Sequence, residues 1–208
     1  MYIPSHFAGD QATGQEIMKA HSWALLMTSD ATGAPFATHL SLLWRADGTP
    51  HGSLIGHLAR ANHHWKLFER PADSLALFWG PHAYVSPTWY APGPKVPTWN
   101  YVTVHAYGRP QIVSETPAVL RVLSELARAY ETGAGEWNLG ALPPGNAEAQ
   151  TKNIVAFRMP LTRIETKIKL SQNRDLEDRQ RVIARLEASD SDDSQATARW
   201  MKRVLPAT

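Results

Sequence analysis

Near the start of the chain, three apolar, strand-length runs follow one another with only turn residues between them. They are Trp23–Thr28 (WALLMT), Phe36–Arg45 (FATHLSLLWR) and His51–His57. Asp30-Ala-Thr-Gly33-Ala-Pro35 separates the first two, and Asp47-Gly48 precedes the third. Gly and Pro supply the dihedrals of tight reversals. A parallel sheet needs a long crossover between successive strands, usually a helix, and there is no room for one here. The fold class this predicts is mainly β with α additions, a small antiparallel barrel.

The remaining elements fit around that frame. Asp10–Ala20 reads as a helix, and so does Leu58–Arg70, with Leu58, Trp65 and Phe68 as its apolar face and Pro71 as its stop. Ser74–Trp79 is a fourth strand. Gly80–Pro97 contains Pro81, Pro87, Pro92, Pro94 and Pro97 and reads as an ordered loop with a short strand at Ala83–Ser86. Thr98–Gly108 is a fifth strand, extended by Arg109–Val113. Thr116–Thr132 is the clearest helix, with Pro117 in its first turn and Val119, Leu120, Leu123, Leu126, Ala127 and Tyr130 at the 3.6-residue period. Asn146–Lys152 is a short helix, and Ile154–Lys169 is extended with a break at Pro160. Asp175–Ala188 and Gln195–Leu205 are helices around an acidic turn, Ser189–Ser194. The expected domains are 1–174, the barrel, and 175–208, a C-terminal helical extension.

Composition narrows the chemistry. The 208 residues are 43% hydrophobic, enough to bury a core, and 21 Lys+Arg against 19 Asp+Glu leave +2, too little to announce nucleic acid. With no cysteine, disulfides, thiolate metal sites and cysteine nucleophiles are excluded. Met1–Phe7 has neither the basic nor the apolar run of a secretory leader, and no apolar stretch approaches the roughly 20 residues of a membrane span. A cytoplasmic protein without a membrane partner is the expectation. All nine His lie between His6 and His105, and six of the eight Trp lie between Trp23 and Trp99.

Three stretches could carry chemistry. In Gly56-His57-Leu-Ala-Arg60-Ala-Asn62 a strand runs into an expected helix start. There Gly56 permits close approach, and His57, Arg60 and Asn62 supply donors for a phosphate, or simply make a solvated first turn. The Pro/aromatic stretch with Trp89, Tyr90, Trp99 and Tyr101 could line a slot for a planar ring, form a subunit interface, or cap the barrel. Lys167-Ile-Lys-Leu-Ser-Gln-Asn-Arg174 gathers five donors that could close over an anion or form a basic surface turn. No metal site is expected, since His63 and His64 diverge on a helix and no HExxH occurs. Ser86 with His82 lacks a G-x-S-x-G setting, so no catalytic residue is assigned.

The order Gly33-x-Pro35, Thr38-His39-Leu-Ser41, Asp47-Gly48, Gly56-His57 and a helix with Arg60 and Asn62 resembles the FMN-binding split barrel of pyridoxamine-phosphate-oxidase-like proteins. More specifically, Met1-Tyr-Ile-Pro-Ser-His-Phe7, His57–Asn62, Tyr84–Tyr90, Val96–Tyr101 and Lys169–Arg174 resemble the PaiB-like proteins, FMN-binding negative transcriptional regulators. The likeness implies a split β-barrel with N-terminal, central and C-terminal helices. It also implies a homodimer with FMN at the subunit interface. Carried over, His39 and Ser41 border the isoalloxazine or ribityl chain, and His57, Arg60 and Asn62 hold the phosphate. Ser86 and Trp89 line the cavity, and Lys169, Gln172 and Arg174 close it. One departure is His63-His64, where relatives have a Pro-Gln type pair.

Three functions stay open at this point. One is transcriptional repression, on DNA directly or through a regulatory partner. The second is an FMN-dependent oxidoreductase with a nicotinamide donor, and the third is haem binding or degradation in a split barrel. The basic residues Arg179, Arg181, Arg185, Arg199, Lys202 and Arg203 alternate with Glu177, Asp178 and Glu187, which reads as a solvated helix rather than a DNA-binding face.

Overall fold

The first hairpin forms as its turn residues dictate. In the computed structural model, which describes residues 1–131, 133 and 137–206, β2 (Trp23–Ser29) and β3 (Pro35–Ser41) pair antiparallel. Asp30 Oδ1 accepts from Thr32 N at 2.7 Å and Ala34 N at 3.0 Å, and Gly33 takes φ +89° to close the reversal. The other strands are β1 (Ala8–Gly9), β4 (Leu43–Arg45), β5 (Ser53–Ala59), β6 (Ser74–Val85), β7 (Thr98–Gly108), β8 (Gln111–Val113) and β9 (Ile154–Lys169). The strand order is β3-β2-β6-β7-β9-β5-β4, with β1 and β8 also on β9, and every register resolved is antiparallel. The α-helices are α1 (Gln11–Ala20), α2 (Thr116–Tyr130), α3 (Asn146–Thr151), α4 (Leu176–Glu187) and α5 (Asp192–Arg203). This is the mainly antiparallel, unclosed sheet with added helices of the split-barrel class.

Over the described residues the chain forms two compact units. Unit 1 comprises Met1–Ile17, Trp79–Val104 and Glu165–Thr208, and unit 2 comprises Met18–Phe78 and His105–Ile164. In unit 1, β1 pairs with β9 through Ala8↔Lys167 and Gly9↔Thr166. Gly9 is required there, because a Cβ would sit 2.6 Å from Thr166 Cγ2. α4 and α5 bury Val182, Ile183, Leu186, Ala198 and Met201. Asp178, also buried, accepts from Ala91 N at 2.8 Å and Lys95 Nζ at 2.7 Å. In unit 2, Val119, Val122 and Leu126 of α2 pack with Leu43, Ile55 and Ala156.

Several elements differ from expectation. Phe36–Arg45 is not one strand: Leu42 interrupts it, donating N–H to Ser22 O at 2.8 Å, and the chain changes partner from β2 to β5. β6 continues through Gly80-Pro81 to Val85 rather than giving way to a loop. A side chain at Gly80 would meet Val102 at 2.2 Å, so the glycine keeps the strand close rather than breaking it. β9 runs unbroken through Pro160, which stands opposite Ser53 at the last pair of the β5 ladder. β8 is separate from β7 and pairs with β9. α5 starts at Asp192, three residues before the expected Gln195. Thr132, the expected end of α2, lies outside the described residues.

The largest correction concerns Leu58–Arg70, which is not an α-helix. β5 continues to Ala59, paired with Ile154, and a seven-residue 3₁₀ segment follows at His63–Glu69. Leu58 is therefore a buried strand residue rather than part of a helical face.

Candidate functional site

The ten residues expected at the cofactor divide evenly, His39, Ser41, His57, Arg60 and Asn62 in unit 2 and Ser86, Trp89, Lys169, Gln172 and Arg174 in unit 1.

In unit 2, His39 and Ser41 lie two apart on β3 and so share a face. The His39 ring stacks near Trp23, with centroids 6.4 Å apart. Ser41 Oγ hydrogen-bonds the Tyr130 hydroxyl, which also reaches Ser22 Oγ at 2.6 Å. Gly56 brings β5 close to this point, since a Cβ there would lie 3.0 Å from Ser41 O and 2.8 Å from Leu42 Cδ2. The close approach inferred for Gly56 is therefore made to protein. Ser41 and His57 line a cavity of about 630 Å³, walled by Leu123, Leu126, Ala127, Leu139 and Ile154 with Tyr130, Glu131 and Gln150. Its size falls within the roughly 300–1,000 Å³ of small-molecule sites. His57 Nδ1 is buried and has no hydrogen-bond partner among the described residues, and burial lowers the imidazole's pKa below the ordinary histidine value. A buried nitrogen without a partner is costly to keep unless a ligand satisfies it.

The expected phosphate donors are largely occupied. Arg60 Nε donates to Lys152 O at 2.8 Å and Nη2 to Ile154 O at 2.7 Å. Asn62 caps the 3₁₀ segment, accepting from His64 N at 3.0 Å, and its Nδ2 donates to Thr38 Oγ1 at 3.1 Å. The helix that starts at this junction is a short 3₁₀ segment rather than the expected α-helix. His64 is fully buried, hydrogen-bonded to Thr38 Oγ1 at 2.8 Å and Thr28 Oγ1 at 3.0 Å, and burial pushes its pKa down to about 4. The second residue of the unusual His63-His64 pair is thus a neutral core residue.

In unit 1, Ser86 caps the 3₁₀ turn Pro87–Trp89 by accepting from Thr88 N at 3.2 Å, and Trp89 sits in that turn, half-buried. Gln172 is absorbed locally: Oε1 accepts from Leu170 N at 2.7 Å and Nε2 donates to Ile168 O at 2.6 Å. Lys169 donates to Thr98 Oγ1 and Trp99 O. Burial lowers its pKa, and the charges of Lys167 and Arg174 lower it further. Lys169 and Arg174 line a smaller pocket of about 140 Å³. The expected aromatic slot does not form as one wall. Tyr90 is buried beside that pocket, whereas Trp99 is exposed beside Tyr84 and His82.

Sequence reasoning missed Tyr130 as a site residue, because its place in the α2 periodicity marked it as core. The last part of the α2 apolar stripe lines the cavity instead. Among the described residues, no cluster of three or more His, Asp or Glu is arranged to hold a metal. No helix among them is long and apolar enough to cross a membrane.

Comparison with known proteins adds the following. Residues 1–163 match the family described as "Putative FMN-binding domain". The "Protease synthase and sporulation protein PAI 2" of Bacillus subtilis is 34% identical over 210 residues, covering 99% of this chain and 98% of that protein. An uncharacterised protein of Aspergillus fumigatus is 32% identical over 194 residues, covering 76% of this chain and 74% of its own. Among solved structures, the flavocytochrome Anf3 of Azotobacter vinelandii superposes with a TM-score of 0.63 at 20% identity, covering 81% of this chain and 72% of that one. The FAD and heme binding protein of Mycobacterium smegmatis gives 0.61 at 12% identity, covering 82% and 76%. At these identities the superpositions speak to the fold.

Proposed function

Since the chain belongs to the FMN-binding domain family matched by residues 1–163, we propose that it is a PaiB-like, FMN-binding regulator acting as a homodimer. The observation that carries the site is the 630 Å³ cavity with Ser41 and His57 on its wall and the His57 Nδ1 buried without a partner among the described residues. Its apolar walls suit a flat ring, and its few polar groups suit the ring edge and ribityl chain. FMN supplies reversible electron transfer when bound. In this reading Ser41 and His57 orient the flavin, His39 borders it, and Arg60 with Asn62 meets the phosphate.

The homodimer is supported by one face of β2 and β6, where Trp23 is exposed and Leu25, Met27, Leu75 and Leu77 are half-buried. A contiguous apolar face of this kind is a protein contact surface. Repression through a partner is favoured over direct DNA contact. Arg181 pairs with Glu177, Lys202 with Glu187 and Arg203 with Glu16, so three of the six basic residues of α4 and α5 are matched by carboxylates, and Arg179 is held by the Val204 carbonyl.

The test is the absorption spectrum of the purified protein followed by FMN titration. Flavin bands should appear, and His57→Ala should weaken FMN about 10-fold and Ser41→Ala a few-fold. A protein that takes up no FMN, or one whose affinity is unchanged in both variants, refutes the site. Salt-dependent DNA binding would instead restore direct repression.

A further inference from the structure

Unit 1 contains a second, smaller enclosure whose lining differs in kind from the apolar cavity of unit 2. Lys169, Arg174, Thr98 and Asn173 bring donors to it, and Phe7, Tyr90, Val96 and Pro97 give it apolar walls. We infer that this pocket is a seat for a small oxyanion, the carboxylate or phosphate end of a ligand other than the flavin.

Size sets the first limit. The pocket holds about 140 Å³, close to the 150 Å³ cavity that accommodates benzene, so one small group enters and a three-ring flavin does not. Charge sets the second. Two cations line the pocket and no carboxylate does. Asp178, which also feels Arg174, is already held by Lys95 and the Ala91 N–H. An anion is the group that relieves such a cluster.

Donor geometry sets the third. Lys169 has three N–H donors, of which Thr98 and the Trp99 carbonyl take two, so the third remains for a ligand. Arg174 lies over the Tyr90 ring at 5.1 Å from its centroid. Tyr90 is 4% exposed and its hydroxyl is buried without a hydrogen-bond partner among the described residues. The Gln172 clamp and the buried Asn100–Ser171 pair fix the turn that presents Arg174. The seat is thus held in place before any ligand arrives.

FMN-saturated protein should be titrated with inorganic phosphate and, separately, with benzoate, following heat of binding. Saturable binding of at least one is expected, and Arg174→Ala should weaken it about 10- to 100-fold. Lys169→Met, which keeps the aliphatic stem, should act in the same direction and covers the case in which Arg174→Ala fails to fold. The tighter of the two probes tells whether the natural ligand end is a phosphate or a carboxylate. Release of FMN in step with anion binding would overturn the inference, because the seat would then be the flavin's own phosphate site. Unchanged binding in both variants, or no saturable binding, would overturn it as well. A protein that never takes up FMN sinks the flavin reading alone, since the same titration then runs on the protein without cofactor.

Discussion

Acidification should unfold this protein through His64 before its carboxylates titrate. His64 has no exposed surface, its two ring nitrogens are both engaged by threonine hydroxyls, and Phe36 and Phe68 rings lie 5.0 and 5.6 Å away. The two hydroxyls can serve the neutral imidazole as donor and acceptor, and burial is what disfavours its charged form. Its folded pKa of about 4 lies below the ordinary histidine value of about 6.5, so the unfolded chain holds the extra proton between those values. Stability is therefore full above about pH 6.5 and is lost as pH falls towards 4. Between pH 7 and pH 5 the loss from this one group is about 2 kcal/mol, a large share of a typical domain's stability. The comparison is with His64→Phe, in which Thr28 keeps Ser74 at 2.6 Å and Thr38 keeps Asn62. Urea unfolding without FMN, at fixed protein concentration, gives stability against pH for both. His57, also lowered by burial, is present in both proteins and cancels. The wild-type curve should fall about 2 kcal/mol further than the variant's over that range. Parallel curves would show that His64 is not held neutral, and the account of the His63-His64 pair would be wrong.

Three other outcomes are expected. Gly9→Ala should destabilise unit 1 by about 1–3 kcal/mol in chemical unfolding, since its Cβ would meet both Thr166 and Ile168 where β1 pairs with β9. Asp178→Asn should cost about 3 kcal/mol, because Lys95 loses a buried charged partner. Burial works to raise the Asp178 pKa, but the bonds from Lys95 and Ala91 outweigh it and leave the carboxyl below its ordinary value. The stability it adds is present at neutral pH and lost in acid. Arg60→Ala should weaken FMN and also lower the melting temperature, since its guanidinium holds the Lys152 and Ile154 carbonyls. Loss of FMN affinity with an unchanged melting temperature would mean that those two bonds contribute nothing.

The motifs named the family, but they could not say which side chains would be spent on the fold. Gly56, Arg60 and Asn62 are the residue types of a phosphate cradle, and in sequence they fall within seven residues. In the structure β5 extends two residues beyond His57, because Leu58 and Ala59 find ladder partners in Val155 and Ile154. That pairing removes the expected α-helical start, and Arg60 and Asn62 turn largely to backbone and threonine partners. Gly80 and Pro81 look like a strand's end but lie inside β6, because close approach to Val102 requires a residue without a side chain there. Period and turn chemistry are local, so the β2–β3 hairpin, α2 and the antiparallel class were legible from the chain alone. Which donors stay unsatisfied depends on partners about a hundred residues away. Only the tertiary structure could therefore leave His57 Nδ1 and the Tyr90 hydroxyl without partners among the described residues and gather Lys169 and Arg174 around a pocket.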